Sequence, residues 1–107
     1  MDFPEHVYTL EEFEAARAAI RSGHKHRLKV IGGQGFKERM KKILDLVELA
    51  GYGEFLRTYI REIREIQGLG QLRETEATIW LNNFTVSDLI EGARFVVQKA
   101  FQMRSYL

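Results

Sequence analysis

The C-terminal part of the chain, residues 85–107, has the 3.6-residue repeat of apolar positions that is typical of an amphipathic helix. Thr85 is a suitable N-cap, because a threonine side-chain oxygen can accept a hydrogen bond from a backbone N–H of the first turn. The pattern predicts one long helix with a broad apolar face. That face comprises Val86, Leu89, Ile90, Ala93, Val96, Val97, Ala100, Phe101, Met103 and Leu107.

A second set of side chains occupies the outer side of the same predicted helix. Phe95, Gln98, Gln102 and Tyr106 are spaced i, i+3, i+7 and i+11, so they form one line. The line places two amides between two aromatic rings, where a helix with one buried face usually carries only polar groups. A partly covered face or a dimer contact explains this composition, and so does a surface that binds another molecule.

The preceding segments predict two further helices and a strand. A capping box at residues 9–12 predicts a helix that ends at Gly23. Residues 26–31 alternate between polar and apolar side chains and then end in aliphatic ones, which predicts a strand. Gly32-Gly33-Gln34-Gly35 ends that strand, and the next helix runs from about Phe36 to Ala50. The first helix is expected to bury Leu10, Phe13, Ala16, Ala19 and Ile20.

Residues 52–67 fit a helix better than they fit the strict alternation of a strand. Their apolar side chains recur at helical spacing, yet residues 76–81 have a strand pattern, and a sheet of two strands is marginally stable. We therefore predict a helical turn near Phe55 and then a strand over about residues 59–67. The glycines of Gly68-Leu69-Gly70 predict a hairpin connection to the strand at 76–81.

Together these elements predict a small α+β domain with the order α-β-α-β-β-α. The expected sheet is antiparallel or mixed, has about three strands, and carries the helices on one face. A chain of 107 residues is long enough for one domain. Residues 1–107 are expected to form that domain, with residues 1–23 as an N-terminal helix and residues 26–107 as the α+β unit.

Composition argues against several classes of function. The chain has no cysteine, which excludes disulfides, thiol catalysis and cysteine metal sites. The N-terminus lacks the regions of a signal peptide, and no apolar stretch matches a membrane span, so a cytoplasmic protein without membrane contact is expected. The sequence suggests no third metal ligand to accompany His24 and His26, and no serine sits on a nucleophile turn. We expect no catalytic residue, metal or cofactor.

The net charge of +1 is unevenly distributed, because residues 21–42 contain eight basic side chains and one acidic side chain. The strand–glycine–helix layout of this segment is one that binds anions through backbone N–H groups. It predicts an alternative function, binding of an anion at Gly33, Gly35, Lys37 and Arg39, or of nucleic acid through Arg21–Lys42. The Walker and dinucleotide spacings are absent, and a simple turn beside a solvated basic face also explains the pattern.

The order of strand, helix, two strands with a tryptophan, and helix resembles the minimal zincin-like metallopeptidase domain over about residues 26–107. In that family the last helix carries aliphatic-aliphatic-His-Glu-x-x-His, and this chain reads Val96-Val97-Gln98-Lys99-Ala100-Phe101-Gln102. The resemblance places Gln98 and Gln102 at the zinc-binding histidines and Lys99 at the general base. An amide is a poor zinc ligand, and an ammonium group accepts no proton at neutral pH. The resemblance therefore implies an inactive relative without metal or hydrolysis.

The sequence thus favours a non-catalytic protein that acts by binding. Its expected partner is a protein or peptide, or a second copy of the chain in a homodimer, held through Phe95, Gln98, Gln102 and Tyr106. Nucleic acid is the less favoured partner, since no nucleic-acid motif accompanies the basic segment.

Overall fold

The computed structural model describes residues 9–22 and 28–106, except for the side chains of residues 13, 16, 17 and 19–21. The described elements confirm a small α+β fold. In chain order they are α1 (Leu10–Arg21), β1 (Lys29–Ile31), α2 (Gln34–Leu49), α3 (Gly53–Tyr59), β2 (Glu62–Glu65), β3 (Gln71–Arg73), β4 (Thr78–Leu81), α4 (Asn83–Ser87) and α5 (Leu89–Tyr106).

The predicted cap of α1 is present, because the backbone N–H of Glu12 donates to the hydroxyl of Thr9 at 3.2 Å. Leu10 is exposed, so the prediction that it is buried was wrong. The predicted helix end at Gly23, the strand start at His26, the His24–His26 pair and the burial of Phe13, Ala16, Ala19 and Ile20 lie outside the described residues.

The sheet is mixed and has four strands in the order β1-β2-β4-β3, whereas the sequence predicted about three. β1, β2 and β4 are parallel, and β3 pairs antiparallel with β4 at the edge. The predicted hairpin at Gly68-Leu69-Gly70 was wrong, because β4 lies between β2 and β3. The antiparallel pair is instead joined by a 3-10 turn at Glu74–Glu76 and by Ala77 in the left-handed conformation (φ 53°).

The segment after α2 contains both of the elements that its sequence suggested. α3 covers Gly53–Tyr59 and β2 covers Glu62–Glu65, so the strand is shorter than predicted and the helix is longer. α2 ends where Gly51 adopts a positive φ of 88°, which lets the N–H of Tyr52 bond the carbonyl of Val47 at 2.9 Å.

The core lies between one side of the sheet and the helices α2, α3, α4 and α5. The strand register aligns Val30, Ile63, Ile79 and Leu72 in one row across the sheet. These side chains belong to a single hydrophobic cluster with the inward faces of the helices. The buried members that the helices contribute include Phe36, Met40, Ile43, Val47, Leu56, Val86, Val96, Ala100 and Met103.

The opposite side of the sheet carries mostly polar and charged side chains, together with Ile31 and Trp80. Glu62 is buried there and accepts a bond from Arg64 at 3.2 Å. Trp80 is buried under the guanidinium of Arg73, whose Cζ lies 4.5 Å from the ring centroid. The indole N–H of Trp80 is buried and has no hydrogen-bond partner in the described part of the chain.

The predicted C-terminal helix is two helices, and Thr85 is not the cap of either. The side-chain oxygen of Asn82 caps α4 by accepting from the N–H of Thr85 at 2.8 Å. Asp88 has extended backbone angles and accepts from the N–H groups of Ile90 and Glu91, both at 3.1 Å, so it starts α5. The break arises because the aspartate side chain satisfies first-turn N–H groups that a continuous helix would bond to carbonyls.

A groove along the last helix

The buried side of α5 is narrower than its sequence predicts. Gly92, Val96, Ala100 and Met103 are buried, whereas Ile90 is 61% exposed and Phe101 is 37% exposed. α5 packs closely on α2 at Gly92, where an added Cβ would lie 2.5 Å from Cδ1 of Ile43. The predictions of burial for Ile90 and Phe101 were wrong, because α2 packs against a stripe centred on Val96 and leaves the flanking turns uncovered.

A groove of about 790 Å³ follows α5 where this helix passes the end of α2. Apolar side chains from both helices line it, with Tyr52 from the connection that follows α2. The lining includes Leu46, Ala50, Tyr52, Ala93, Val97 and Phe101. A concave, mostly apolar surface between two helices is a common binding site for a helical or extended segment.

The aromatic rings of Tyr52, Phe55 and Phe101 close one side of this region. The sequence did not predict that these rings form a group. The ring centroids of Phe55 and Phe101 are 4.5 Å apart, and Tyr52 lies 6.1 Å from Phe101 in an edge-on contact. Cζ of Arg104 lies 4.9 Å from the Phe101 centroid. The spacing of Phe55 and Tyr59 on one face of α3 was the available signal, and their centroids are 5.0 Å apart.

The four residues of the predicted binding line fall into two places. Phe95 and Gln98 line the groove, and Gln98 is exposed. Gln102 and Tyr106 are exposed farther along α5 and are not among the groove residues. Phe95 also faces Gly70, where an added Cβ would lie 2.9 Å from the phenylalanine ring. The groove therefore includes half of the predicted line and adds residues of α2.

Gln98, Lys99 and Gln102, the positions at which a zincin-like domain would carry its ligands and base, do not fit zinc. The ammonium of Lys99 donates to the amide oxygen of Gln102 at 3.4 Å and lies 4.9 Å from the Phe95 ring centroid. A fixed cation beside a would-be ligand opposes a second cation, and an amide oxygen is a weak zinc donor. Among the residues that the structure describes, no group of three His, Asp or Glu side chains could hold a metal ion.

The glycine loop at the start of α2 is bonded to a carboxylate of the chain itself. The N–H of Gly33 donates to Oε1 of Glu65 at 2.9 Å, and the amide of Asn83 donates to Oε2 of the same side chain. Gly32 allows this approach, because an added Cβ would lie 2.8 Å from Cβ of Glu65. Glu65 thus occupies the helix N-terminus where an external anion would bind.

The other residues of the predicted anion site, Gly35, Lys37 and Arg39, are exposed on α2. No described contact directs Lys37 or Arg39 toward Gly33. Anion binding and nucleic-acid binding stay predictions, and the N–H of Gly33 is already bonded to Glu65.

We expect Glu65→Ala to lower the free energy of unfolding by about 1–2 kcal/mol, because it removes the acceptor of two hydrogen bonds that join the ends of β1, β2 and β4. Urea unfolding followed by circular dichroism measures the change. Glu74→Ala, at an exposed carboxylate, is the matched control and should change stability by less than about 0.5 kcal/mol. Equal effects of the two substitutions would contradict a structural role for Glu65.

Comparison of the chain with models of protein families, with curated proteins and with solved structures finds no match. No described helix is both long enough and apolar enough to cross a membrane.

Proposed function

We propose that the chain is a non-catalytic protein-binding domain whose binding surface is the groove between α2 and α5. The observation that carries the proposal is the clustering of exposed apolar side chains at this groove. Tyr52 and Phe101 line it and remain exposed. Leu49, which is 86% exposed, follows the groove residue Leu46 by one helical turn, and Ile90 precedes Ala93 by one turn. Several exposed apolar side chains at and beside one groove are typical of a contact with another protein.

Polar groups at the border of the groove fit the same proposal. Gln98 offers an amide donor and acceptor, and Glu91 and Arg94 form an exposed ion pair at 3.1 Å. An apolar centre with a polar rim is the usual composition of a protein–protein interface. Exposed ion pairs contribute little to the stability of the fold, so these side chains are available to a partner.

We propose further that the chain is an inactive relative of the zincin-like metallopeptidases. The order of strand, helix, strands with Trp80, and helix supports this, as does the position of Gln98 and Gln102 on the exposed side of α5. A peptidase cleft binds a peptide before it cleaves it. A relative that has lost the ligands and base can retain the capacity to bind.

The proposal is tested by site-specific photo-crosslinking in cells that produce the protein. A photoreactive phenylalanine derivative placed at Gln98 should give a discrete protein adduct, because this side chain borders the groove. The same derivative at Leu69, which is 86% exposed in the β2–β3 connection, is the control and should give none at comparable yield. The mass of the adduct distinguishes a second copy of the chain from a different protein. No adduct at Gln98, or equal yields at both positions, would overturn the proposal.

A further inference from the structure

We infer that the occupant of the groove is a second copy of this chain, so that two α5 helices cross in antiparallel orientation in a two-fold symmetric homodimer. This inference rests on the proposed function, because it names the partner of the same groove. It follows from three features of α5: the spacing of its outer residues, the order of their charges, and a cation, Arg104, that pairs with no carboxylate among the residues that the structure describes.

One stripe of α5 next to the groove has the spacing of a helix–helix contact. Ile90, Arg94, Val97, Phe101 and Arg104 are spaced i, i+4, i+7, i+11 and i+14, which keeps them on one side of the helix over four turns. Three of the five side chains are apolar. None of the five is fully buried, because the buried stripe of α5 lies on the side that faces α2 and the sheet.

The charges along α5 would attract those of a second α5 helix that runs in the opposite direction. In an antiparallel crossing centred on Val97, Ile90 and Glu91 come opposite Arg104 of the partner subunit. Arg94 comes opposite Phe101 of the partner subunit, where a guanidinium can stack on the ring. Two-fold symmetry repeats both contacts, so one arrangement gives two ion pairs and two stacked rings.

Arg104 supplies the observation that selects this partner. Its guanidinium lies 4.9 Å from the Phe101 centroid and 5.4 Å from the Phe55 centroid. In the described part of the chain it forms no ion pair, whereas Arg57, Arg64, Arg73 and Arg94 each do. The exposed carboxylate of Glu91 pairs with Arg94 at 3.1 Å. Its remaining lone pairs can accept a hydrogen bond from a second cation. A reversed copy of α5 brings that carboxylate to Arg104.

The dimer also covers the apolar side chains that flank the groove. Leu49 and Ile90 lie on the two helices that border it, and both are largely exposed. A helix seated between two others packs at an interaxial distance of about 8–10 Å, which places its side chains against both walls. Burying this surface on both subunits stabilises the assembly through the hydrophobic effect.

The first test is the molar mass of the purified full chain by sedimentation equilibrium over a concentration series. We expect a reversible dimer. Leu49→Glu should shift the protein to monomer, whereas Leu69→Glu should leave the dimer intact, although both leucines are 86% exposed. A wild-type chain that is monomeric throughout the series, or a dimer that Leu49→Glu does not weaken, overturns the inference.

The second test exchanges the charges and does not depend on the behaviour of the leucine variant. Glu91→Arg and Arg104→Glu should each raise the dissociation constant about tenfold, because each places like charges opposite one another. The double substitution restores opposite charges and should return the constant to near the wild-type value. Absence of this recovery overturns the antiparallel pairing. A monomeric wild type that still crosslinks to a different protein at Gln98 overturns only the dimer and leaves the proposed function standing.

Discussion

Phe36→Ala is expected to lower the free energy of unfolding by about 3–5 kcal/mol, the range for removing a buried phenylalanine side chain. Phe36 is 2% exposed in the first turn of α2 and belongs to the hydrophobic cluster. Its ring also packs on the glycine loop, since a Cβ on Gly32 would lie 2.7 Å from it. The substitution leaves a cavity where the sheet, α2 and the loop meet. A typical domain is stable by only about 5–15 kcal/mol, so the variant is expected to be partly unfolded on mild heating.

Urea unfolding measures this loss, with Phe84→Ala as the matched control. Phe84 is 87% exposed on α4, so its truncation should change the free energy of unfolding by less than about 0.5 kcal/mol. The two variants remove the same atoms and differ only in what surrounds them. A loss of less than about 1 kcal/mol for Phe36→Ala would contradict the packing of α2 on the sheet.

Gly92→Leu is expected to cost about 2 kcal/mol, because a side chain at this position enters the contact between α5 and α2. A Cβ alone would lie 2.5 Å from Cδ1 of Ile43, and three further carbons require the helices to separate. Overpacking of this kind usually costs about 1–3 kcal/mol, and the gain in helix propensity returns less than about 1 kcal/mol. Thermal and urea unfolding both measure the effect.

Gly35→Ala provides the control for Gly92→Leu. Gly35 is also in a helix, but a Cβ added there would lie 3.6 Å from its nearest neighbour, the Arg39 side chain, so it fits without a clash. Gly35→Ala should therefore stabilise the protein by about 0.5–1 kcal/mol, because alanine has the higher helix propensity. A double-mutant cycle with Ile43→Ala tests the mechanism, since the space vacated by the isoleucine should relieve part of the Gly92→Leu cost. Additive losses would show that the two side chains do not collide.

Local patterns predicted most of the helices and the α+β class, because amphipathic spacing and caps are properties of short segments. The helix–strand succession at residues 53–65 was predicted for the same reason. Strand order was not predicted, since nothing in the residues of β3 and β4 specifies that β4 separates β3 from β2. Asp88 was overlooked as a cap because the apolar repeat continues through it.

The groove along α5 could be predicted only in part. The spacing of Phe95, Gln98, Gln102 and Tyr106 correctly put them on one side of a helix, but a groove needs a second wall. That wall is α2, and its approach to α5 depends on tertiary packing at Gly92. The prediction that Phe101 is buried failed for a related reason. Periodicity shows which residues share a face of a helix, but not how much of that face the neighbouring elements cover.

The central position of β4 has a consequence for the order in which the chain folds. β2 and β3 both precede β4 in the sequence, yet β4 lies between them in the sheet. During synthesis, a nascent chain that ends before Thr78 exposes the unpaired backbone edge of β2 and gives β3 no strand to bond. Such edges are templates for aggregation. The described sheet is therefore completed only when β4 has left the ribosome, and we expect truncated chains that lack β4 to aggregate more readily than chains that contain it, as light scattering after release would measure.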